Sequence, residues 1–371
     1  MGSRLTRRNQ FRIMLWAFPI LTLGILIAVE RSNWERSAGS PGVEKYVYRF
    51  VVMGTEAEIT IAAASEESAQ RAAEAAKMTL DRVNGLMSDY IPASDIGRLN
   101  RAEAGTPVPV DKATFEVLKG AVAFAQRTGG AFDVTYAPLR RLWRECAKRA
   151  SLPKPEELEA ARALVGFENL ILDEAACTAA LARPGMEVDL GGIAKGFGVD
   201  LAAKAMQACG VKGGIVNVGG NMYLLGTNPS GGHWSVGVLD PARPDDKNHF
   251  LTTIRGHDVA ISTSGNYHRF FEIGGKKYSH IIDPRTGQPA DNVPSVTGIA
   301  PDGMTADALS TAISVLGPQE GLKLAESISG VEALIVENTA GALKQYRTSG
   351  FFAYETLTGS ENASNQNTGG R

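Results

Sequence analysis

Apolar residues recur at helical spacing in several segments of this chain. The first segment opens at Ser65, where a capping hydroxyl precedes two acids, and its small apolar face runs from Ala69 to Val83. A second helix is predicted from Asp111 to Gly129-Gly130, with four apolar residues at helical spacing. Further helices are predicted at 155–164, 193–209, 305–316 and 319–327.

β-prone segments fill much of the remaining sequence. The first covers 46–61, and others follow at 214–218, 222–225, 234–239, 250–254, 259–262, 269–273 and 332–336. Helices and antiparallel-looking strands come in blocks and do not alternate strictly, which favours an α+β fold over a parallel α/β sheet. We therefore predict a single large domain at 46–355, with antiparallel sheets and packed helices, preceded by a linker at 32–45 and followed by a disordered tail at 356–371.

The N-terminal segment has a different character. Ile13–Val29 is a run of 17 residues without a charge, and Arg4, Arg7, Arg8 and Arg12 precede it. This pattern predicts a signal-anchor transmembrane helix within 1–31, with the N-terminus in the cytoplasm and the large domain outside it. A cleaved signal peptide is the alternative, although no A-x-A pattern follows closely, and the start M-G-x-x-x-T also fits N-myristoylation.

Composition excludes several classes of protein. Hydrophobic residues make up 44% and charged residues 21% of the 371 residues, which excludes a mostly disordered chain. The three cysteines, Cys146, Cys177 and Cys209, lack C-x-x-C spacing and form neither a disulfide framework nor a zinc site. A formal charge of −2 argues against nucleic acid as the main partner.

A glycine-dense segment, Val188–Gly198, opens one of the predicted helices. Glycines let the backbone approach a ligand closely, a helix N-terminus favours phosphate, and Lys195 could add a positive charge. The same residues also suit an ordinary strand-to-helix turn capped by Asp189.

Two later segments carry candidate chemistry. His280 stands beside the turn sequence Asp283–Gly287, where an imidazole can act as a general base or be structural. Asp307 and Thr311 are four residues apart and share one face of a helix, so they could bind a hard cation such as Mg²⁺ together with substrate phosphates. Equally, Asp307 could be an acid in the first helical turn and Thr311 a residue without a functional role. Met87–Tyr90 and Gly130–Asp133 could contact a heteroaromatic ring or pack in the core.

Together and in this order, these segments resemble the ApbE-type flavin transferases over roughly residues 47 to 340. The matching motifs are Met53-Gly-Thr, Met87-Ser-Asp-Tyr, Gly130-Ala-Phe-Asp, Val188-Asp-Leu-Gly-Gly-Ile-Ala-Lys-Gly, Asn217-Val-Gly-Gly-Asn, Ile261-Ser-Thr-Ser-Gly, Ser279-His-Ile-Ile-Asp-Pro-Arg-Thr-Gly and Thr305-Ala-Asp-Ala-Leu-Ser-Thr. Each motif is weak alone, but eight in sequence are specific. The resemblance implies a T-fold-like α+β domain.

The resemblance also implies an activity: Mg²⁺-dependent transfer of FMN from FAD to a Thr or Ser hydroxyl of an acceptor protein, with release of AMP. His280 matches the residue that would deprotonate the hydroxyl. Mg²⁺ would be held by Asp307, Thr311 and the backbone carbonyl of Gly192, while Ser310 stands where some members have an Asp ligand. FAD would contact Met53, Tyr90, Ala131, Phe132, Asp133, Asp189, Lys195 and Ile282.

The implied acceptor carries a D-x-x-[ST]-G-A-[ST]-like site and belongs to a membrane electron-transport complex. With the predicted anchor, this places the enzyme on the bacterial inner membrane with its catalytic domain in the periplasm. If His280 is the base, activity should fall below about pH 6.5. Two alternatives are an FAD pyrophosphatase that releases FMN and AMP and a non-catalytic FAD-binding protein; acceptor labelling and AMP release distinguish the three.

Overall fold

The computed structural model describes residues 28–29, 42–246, 248–266, 270–339 and 341–356. The helices within these ranges are α1 (Glu66–Met87), α2 (Asp95–Leu99), α3 (Lys112–Arg127), α4 (Ala137–Lys148), α5 (Pro155–Arg162), α6 (Ala194–Ala208) and α7 (Gly303–Glu326). The strands are β1 (Ala28–Val29), β2 (Glu44–Val52), β3 (Thr55–Ala63), β4 (Val108–Pro109), β5 (Leu170–Asp173), β6 (Thr178–Leu181), β7 (Gly213–Val218), β8 (Asn221–Gly226), β9 (Trp234–Leu239), β10 (Phe250–Gly256), β11 (Val259–Gly265), β12 (Phe270–Ile273), β13 (Lys276–Ser279), β14 (Ser295–Ala300), β15 (Glu332–Thr339), β16 (Ala342–Arg347) and β17 (Glu355–Thr356).

The main sheet is antiparallel throughout, in the order β1-β2-β3-β7-β8-β11-β14-β15-β16. Helix α6 packs on both α1 and α7, and all three helices pack on this sheet. The small sheet β17-β10-β9 packs through a separate apolar cluster. Successive residues of a strand face opposite sides: Ala260 packs in the cluster with α7, and Ile261 packs with Trp234 of β9. The predicted α+β class with antiparallel sheets is confirmed.

Helix α1 shows how the local sequence determines an element. The side chain of Ser65 accepts a hydrogen bond from the Ser68 backbone N–H at 3.2 Å, which satisfies one donor of the first turn. Its buried face consists largely of alanines, from Ala69 to Ala76, and these small side chains allow close packing on α6 and the sheet. The predicted helix and its apolar face are therefore confirmed.

Helix α7 joins the two late helices that the sequence predicts. Gly317 interrupts it with a positive φ of 74°, and Pro318 follows. Proline has no N–H to donate, and glycine tolerates the left-handed conformation, so the pair bends the helix at the point where the prediction separated two helices. The N-terminal half of α7 carries Asp307 and Thr311.

The predicted transmembrane anchor is wrong. Within the described ranges, no helix has both the length and the apolar character needed to cross a membrane. Ala28 and Val29, the end of the predicted span, form β1 and pair with Tyr48 and Arg49 of β2, so their backbone extends the sheet edge. Residues 1–27 and 30–31 of the predicted anchor segment lie outside the described residues, as do 32–41 of the predicted linker and 357–371 of the predicted tail. A single-pass inner-membrane location with a periplasmic domain is accordingly not supported.

Candidate functional site

The glycine-dense turn leads directly into α6. The side chain of Asp189 accepts a hydrogen bond from the Gly191 N–H at 2.8 Å, which shapes the turn, and α6 begins at Ala194. Ile193 at the N-cap provides no capping side chain. The carboxylate of Asp307 takes that role from a different helix, since its Oδ2 accepts from the Gly196 N–H at 3.0 Å.

Two facing glycines bring α6 and α7 together. A Cβ on Gly196 would lie 1.9 Å from the carbonyl oxygen of Gly303, and a Cβ on Gly303 would lie 2.4 Å from that of Gly196. Asp200 of α6 holds the start of α7, because its carboxylate accepts from Gly303 N–H at 2.6 Å and from Met304 N–H at 3.1 Å. Burial raises the pKa of Asp200 to about 6, although both hydrogen bonds oppose the shift.

This crossing gathers four of the predicted site residues. A Cβ on Gly192 would lie 3.2 Å from Thr311 Oγ1, so the Gly192 backbone lies against that hydroxyl. Lys195 donates to the Gly191 carbonyl, and its Nζ is 3.5 Å from Asp307 Oδ2. Asp307 is 2% exposed. Its burial raises the pKa of its carboxyl, and the Lys195 ammonium opposes that shift.

The donor set around Asp307 fits a hard divalent cation. It contains a carboxylate and a hydroxyl beside the backbone of the glycine turn, and carboxylate, hydroxyl and carbonyl oxygens are the ligands that Mg²⁺ prefers. Across the ranges that the structure describes, no three His, Cys, Asp or Glu side chains are grouped to hold a metal by themselves. A cation here would therefore need oxygens from substrate phosphates and water as well.

A buried hydroxyl network that the sequence analysis missed supports Thr311 from the sheet side. Ser310 Oγ is 3.0 Å from Ser262 Oγ and 2.8 Å from Ser264 Oγ, and Ser264 Oγ is 3.5 Å from Thr311 Oγ1. Ser262 in turn donates to Asn221 Oδ1 at 2.8 Å. Ser310 is thus directed at β11, where its hydroxyl is fully engaged in the core.

A second group, also missed, lies around Arg140 on α4. Its guanidinium pairs with Asp89 and, at 2.8 Å, with Asp189 Oδ2, which also accepts from Tyr136 OH at 3.0 Å. Burial alone would lower the pKa of Arg140, but the charges of Asp189, Tyr136 and Asp89 raise it. The sequence analysis did not predict α4, so the four-residue spacing of Tyr136 and Arg140 did not indicate that the two side chains lie close together.

Tyr90 lies at the outer end of this group. Its side chain is 66% exposed, and the guanidinium carbons of Arg140 and Arg144 lie 5.7 Å and 5.4 Å from its ring centroid. Arg144 also donates to the Tyr90 hydroxyl. The ring is therefore held by two cations while remaining open to solvent, as an aromatic platform for a ligand would be.

The Gly130–Asp133 segment divides into two roles. A Cβ on Gly192 would lie 3.3 Å from Phe132 Cε2, so the Phe132 ring packs against the glycine turn. Ala131, the preceding residue, is also buried. The Asp133 carboxylate accepts from Thr135 N–H at 2.8 Å and from Phe167 N–H at 2.9 Å. Burial raises the pKa of Asp133. This carboxylate therefore holds its own loop together.

Met53 and Ile282 lie in different surroundings. Met53 has a positive φ of 51°, and its Sδ would be 3.5 Å from a Cβ on Gly198, so it packs against α6. Ile282 is 3% exposed and packs in a cluster with Leu139 and Trp143. Its side chain thus belongs to the core under α4.

His280 directly follows β13 and is half-buried. Its neighbour Ser279 donates its N–H to Asp291 Oδ1 at 2.6 Å, and Trp143 Nε1 donates to the Gly287 carbonyl at 2.9 Å. The Arg285 side chain reaches the Gly130 loop, with its Cγ 3.6 Å from a Cβ on Gly130. The segment that carries His280 is thereby anchored to α4 and to the Phe132 loop, and the action of His280 on a hydroxyl stays a prediction.

Comparison with known proteins gives a consistent result. A model of the ApbE family matches residues 53–335. An FAD:protein FMN transferase of Vibrio cholerae is 38% identical over 275 residues, which cover 73% of this chain and 81% of that protein. An FAD:protein FMN transferase of Treponema pallidum is 33% identical over 313 residues, covering 80% of this chain and 86% of that one.

Solved structures show the same similarity in three dimensions. The flavin transferase ApbE from Vibrio cholerae superposes with a TM-score of 0.73 at 33% identity, covering 84% of this chain and 99% of that one. The ApbE protein from Thermotoga maritima superposes with a TM-score of 0.75 at 32% identity, covering 85% and 100%.

Proposed function

The chain belongs to the ApbE family and is an FAD:protein FMN transferase, and we propose that the transfer takes place where Gly192, Asp307 and Thr311 meet. The observation that carries this proposal is the approach of α7 to the N-terminus of α6, with a buried carboxylate, a hydroxyl and Lys195 within one group. A helix N-terminus preceded by a glycine turn suits the diphosphate of FAD.

Asp307, Thr311 and the Gly192 carbonyl would hold Mg²⁺ beside that diphosphate. When bound, the cation would offset the negative charge that develops on the phosphoryl oxygens. Lys195 provides a second positive charge, and its contact with Asp307 keeps the ammonium directed toward the site. The resemblance adds Met53, Tyr90, Ala131, Phe132, Asp133, Asp189 and Ile282 as residues along the FAD site.

The transfer itself exchanges one phosphorus–oxygen bond for another. The acceptor Thr or Ser oxygen attacks the phosphorus of the FMN half, its proton passes to the His280 imidazole, and the bond to the AMP phosphate breaks. A hydroxyl is a weak nucleophile until a base accepts its proton, so His280 must be neutral to serve. Lys195, at the N-terminus of α6, stabilises the charge that forms on the phosphate.

The proposed acceptor site is a D-x-x-[ST]-G-A-[ST]-like sequence, and its place in an electron-transport subunit stays a prediction. The test incubates the full chain with FAD, Mg²⁺ and a protein carrying this sequence, and mass spectrometry then measures the acceptor. We expect an added FMN mass with equimolar AMP, and loss of both products with a chelator. FMN and AMP released equally fast without acceptor would instead identify an FAD pyrophosphatase.

The control variants separate the roles within the site. We expect Asp307→Asn to abolish FMN transfer at every Mg²⁺ concentration, and His280→Ala to lower the rate about 10²–10⁴-fold while FAD still binds. His257, which is exposed on the small-sheet side of the molecule beside Asp258, offers a matched control, and His257→Ala should transfer FMN at the wild-type rate. Equal losses in both histidine variants would contradict the assignment of His280.

A further inference from the structure

Arg140 joins two loops that are distant in sequence. Asp89 follows α1 and Asp189 precedes α6, and both carboxylates pair with the one guanidinium of α4. The side chains are largely buried, with 15% of Arg140, 16% of Asp89 and 7% of Asp189 exposed. Without the guanidinium, two largely buried carboxylates would face each other without the cation that pairs with both, which is costly.

Each carboxylate leads to a different end of the site. On one side, Asp189 fixes the Gly191 N–H, the Gly191 carbonyl accepts from Lys195, and Lys195 contacts Asp307. On the other side, Asp89 is next to Tyr90, whose exposed ring lies against the Arg140 guanidinium. A continuous series of polar contacts therefore runs from the open aromatic ring to the buried carboxylate of α7.

We propose that Arg140 is a positioning residue that sets the distance between the Tyr90 loop and the glycine turn, so that an aromatic ring of FAD and its diphosphate are both held in the geometry for transfer. This inference rests on the proposed function, in which the glycine turn binds the diphosphate. A planar guanidinium can pair with two carboxylates at once, which a lysine ammonium on a flexible stem does less well. A ligand that spans both loops depends on their separation, whereas a ligand on one loop would not.

The test compares Arg140→Gln with Arg141→Gln. Arg141 is the next residue of the same helix and pairs with Glu187, two residues before Asp189, but its side chain is 52% exposed. We expect Arg140→Gln to raise the KM for FAD about tenfold and to lower kcat/KM about 100-fold, as displacements near 1 Å do. Arg141→Gln should leave both parameters close to wild type. Flavin fluorescence quenching gives the FAD dissociation constant independently of turnover.

Hydrogen exchange provides a second readout. In Arg140→Gln we expect faster exchange in both 88–94 and 189–192, because each loop loses the same partner, and no change in either segment in Arg141→Gln. Arg140→Lys should have a KM for FAD between those of Arg140→Gln and the wild type. Adding Asp89→Asn to Arg140→Gln should change the KM little further, since both substitutions remove the same link. Where Arg140→Gln does not fold, Arg140→Lys and Asp89→Asn carry the same comparison.

The outcomes are distinct. An unchanged KM and dissociation constant in Arg140→Gln, faster exchange in only one loop, or additive effects of Asp89→Asn would overturn the positioning role. A wild-type protein that binds FAD but labels no acceptor would overturn the proposed function alone, since FAD affinity and hydrogen exchange still test the link between the loops.

Discussion

The contact between Gly196 and Gly303 gives the sharpest prediction. Alanine at 196 would place its Cβ 1.9 Å from the Gly303 carbonyl oxygen and 2.7 Å from Asp307 Cβ. Ordinary carbon–oxygen contacts lie at about 3.3–3.6 Å, so α6 and α7 must separate by about 1 Å or more. Both obstacles are close to the backbone, and no side-chain rotation relieves them.

We expect Gly196→Ala to lower the free energy of unfolding by about 2–3 kcal/mol, the upper part of the range of about 1–3 kcal/mol that is typical of overpacked cores. Because the same movement carries Asp307 away from Gly192, the rate of FMN transfer should fall about 100-fold in the fraction that remains folded. Urea unfolding followed by circular dichroism measures stability, and mass spectrometry of the acceptor measures transfer.

Gly85→Ala is the matched control. Gly85 lies in helix α1, and a Cβ there meets no atom within 4 Å. Alanine is the better helix former by about 1 kcal/mol, so this variant should be slightly stabilised and fully active. If Gly196→Ala behaved like Gly85→Ala in both assays, the close approach of the two helices would not be what positions Asp307, and the reasoning would fail.

Two further predictions concern charge. Burial raises the pKa of Asp200 to about 6, so its ionised form is disfavoured in the folded state and its contribution to stability falls as pH rises from the unfolded value of 3.8 through 6. Relative to Asp200→Asn, the wild type should lose about 2 kcal/mol of unfolding free energy between pH 4 and pH 7 in urea titrations, and parallel curves would refute this. Thr311→Val should raise the Mg²⁺ concentration that is needed for the half-maximal rate of transfer. Thr305→Val on the same helix should leave that concentration unchanged, and equal effects of the two variants would contradict the ligand role of Thr311.

Much of the fold could be predicted because its signals are local. The Ser65 cap, the alanine face of α1 and the break at Gly317-Pro318 each depend on residues within a few positions of one another. The spacing of Asp307 and Thr311 on one helix face is equally local, and the order of the motifs indicated the family.

The incorrect prediction at the N-terminus has a physical reason. An apolar run is compatible with either a membrane helix or a β-strand, and hydropathy alone does not separate them when the run is only 17 residues long. At Ala28 and Val29 the edge of β2 offers backbone partners, and these two residues are extended. That partner is visible only in the folded sheet.

Contacts between distant residues were decided by the tertiary structure alone. Gly196 finds its cap in Asp307, 111 positions later, and Arg140 pairs with Asp89, 51 positions earlier. Sequence periodicity reports which face of an element a residue occupies, but the partner on that face depends on how elements cross. The sequence thus determined many of the elements, the family and the chemical groups available. The crossing of α6 with α7 and the placement of α4 decided which of those groups act together, because close packing fixes distances that no local pattern encodes.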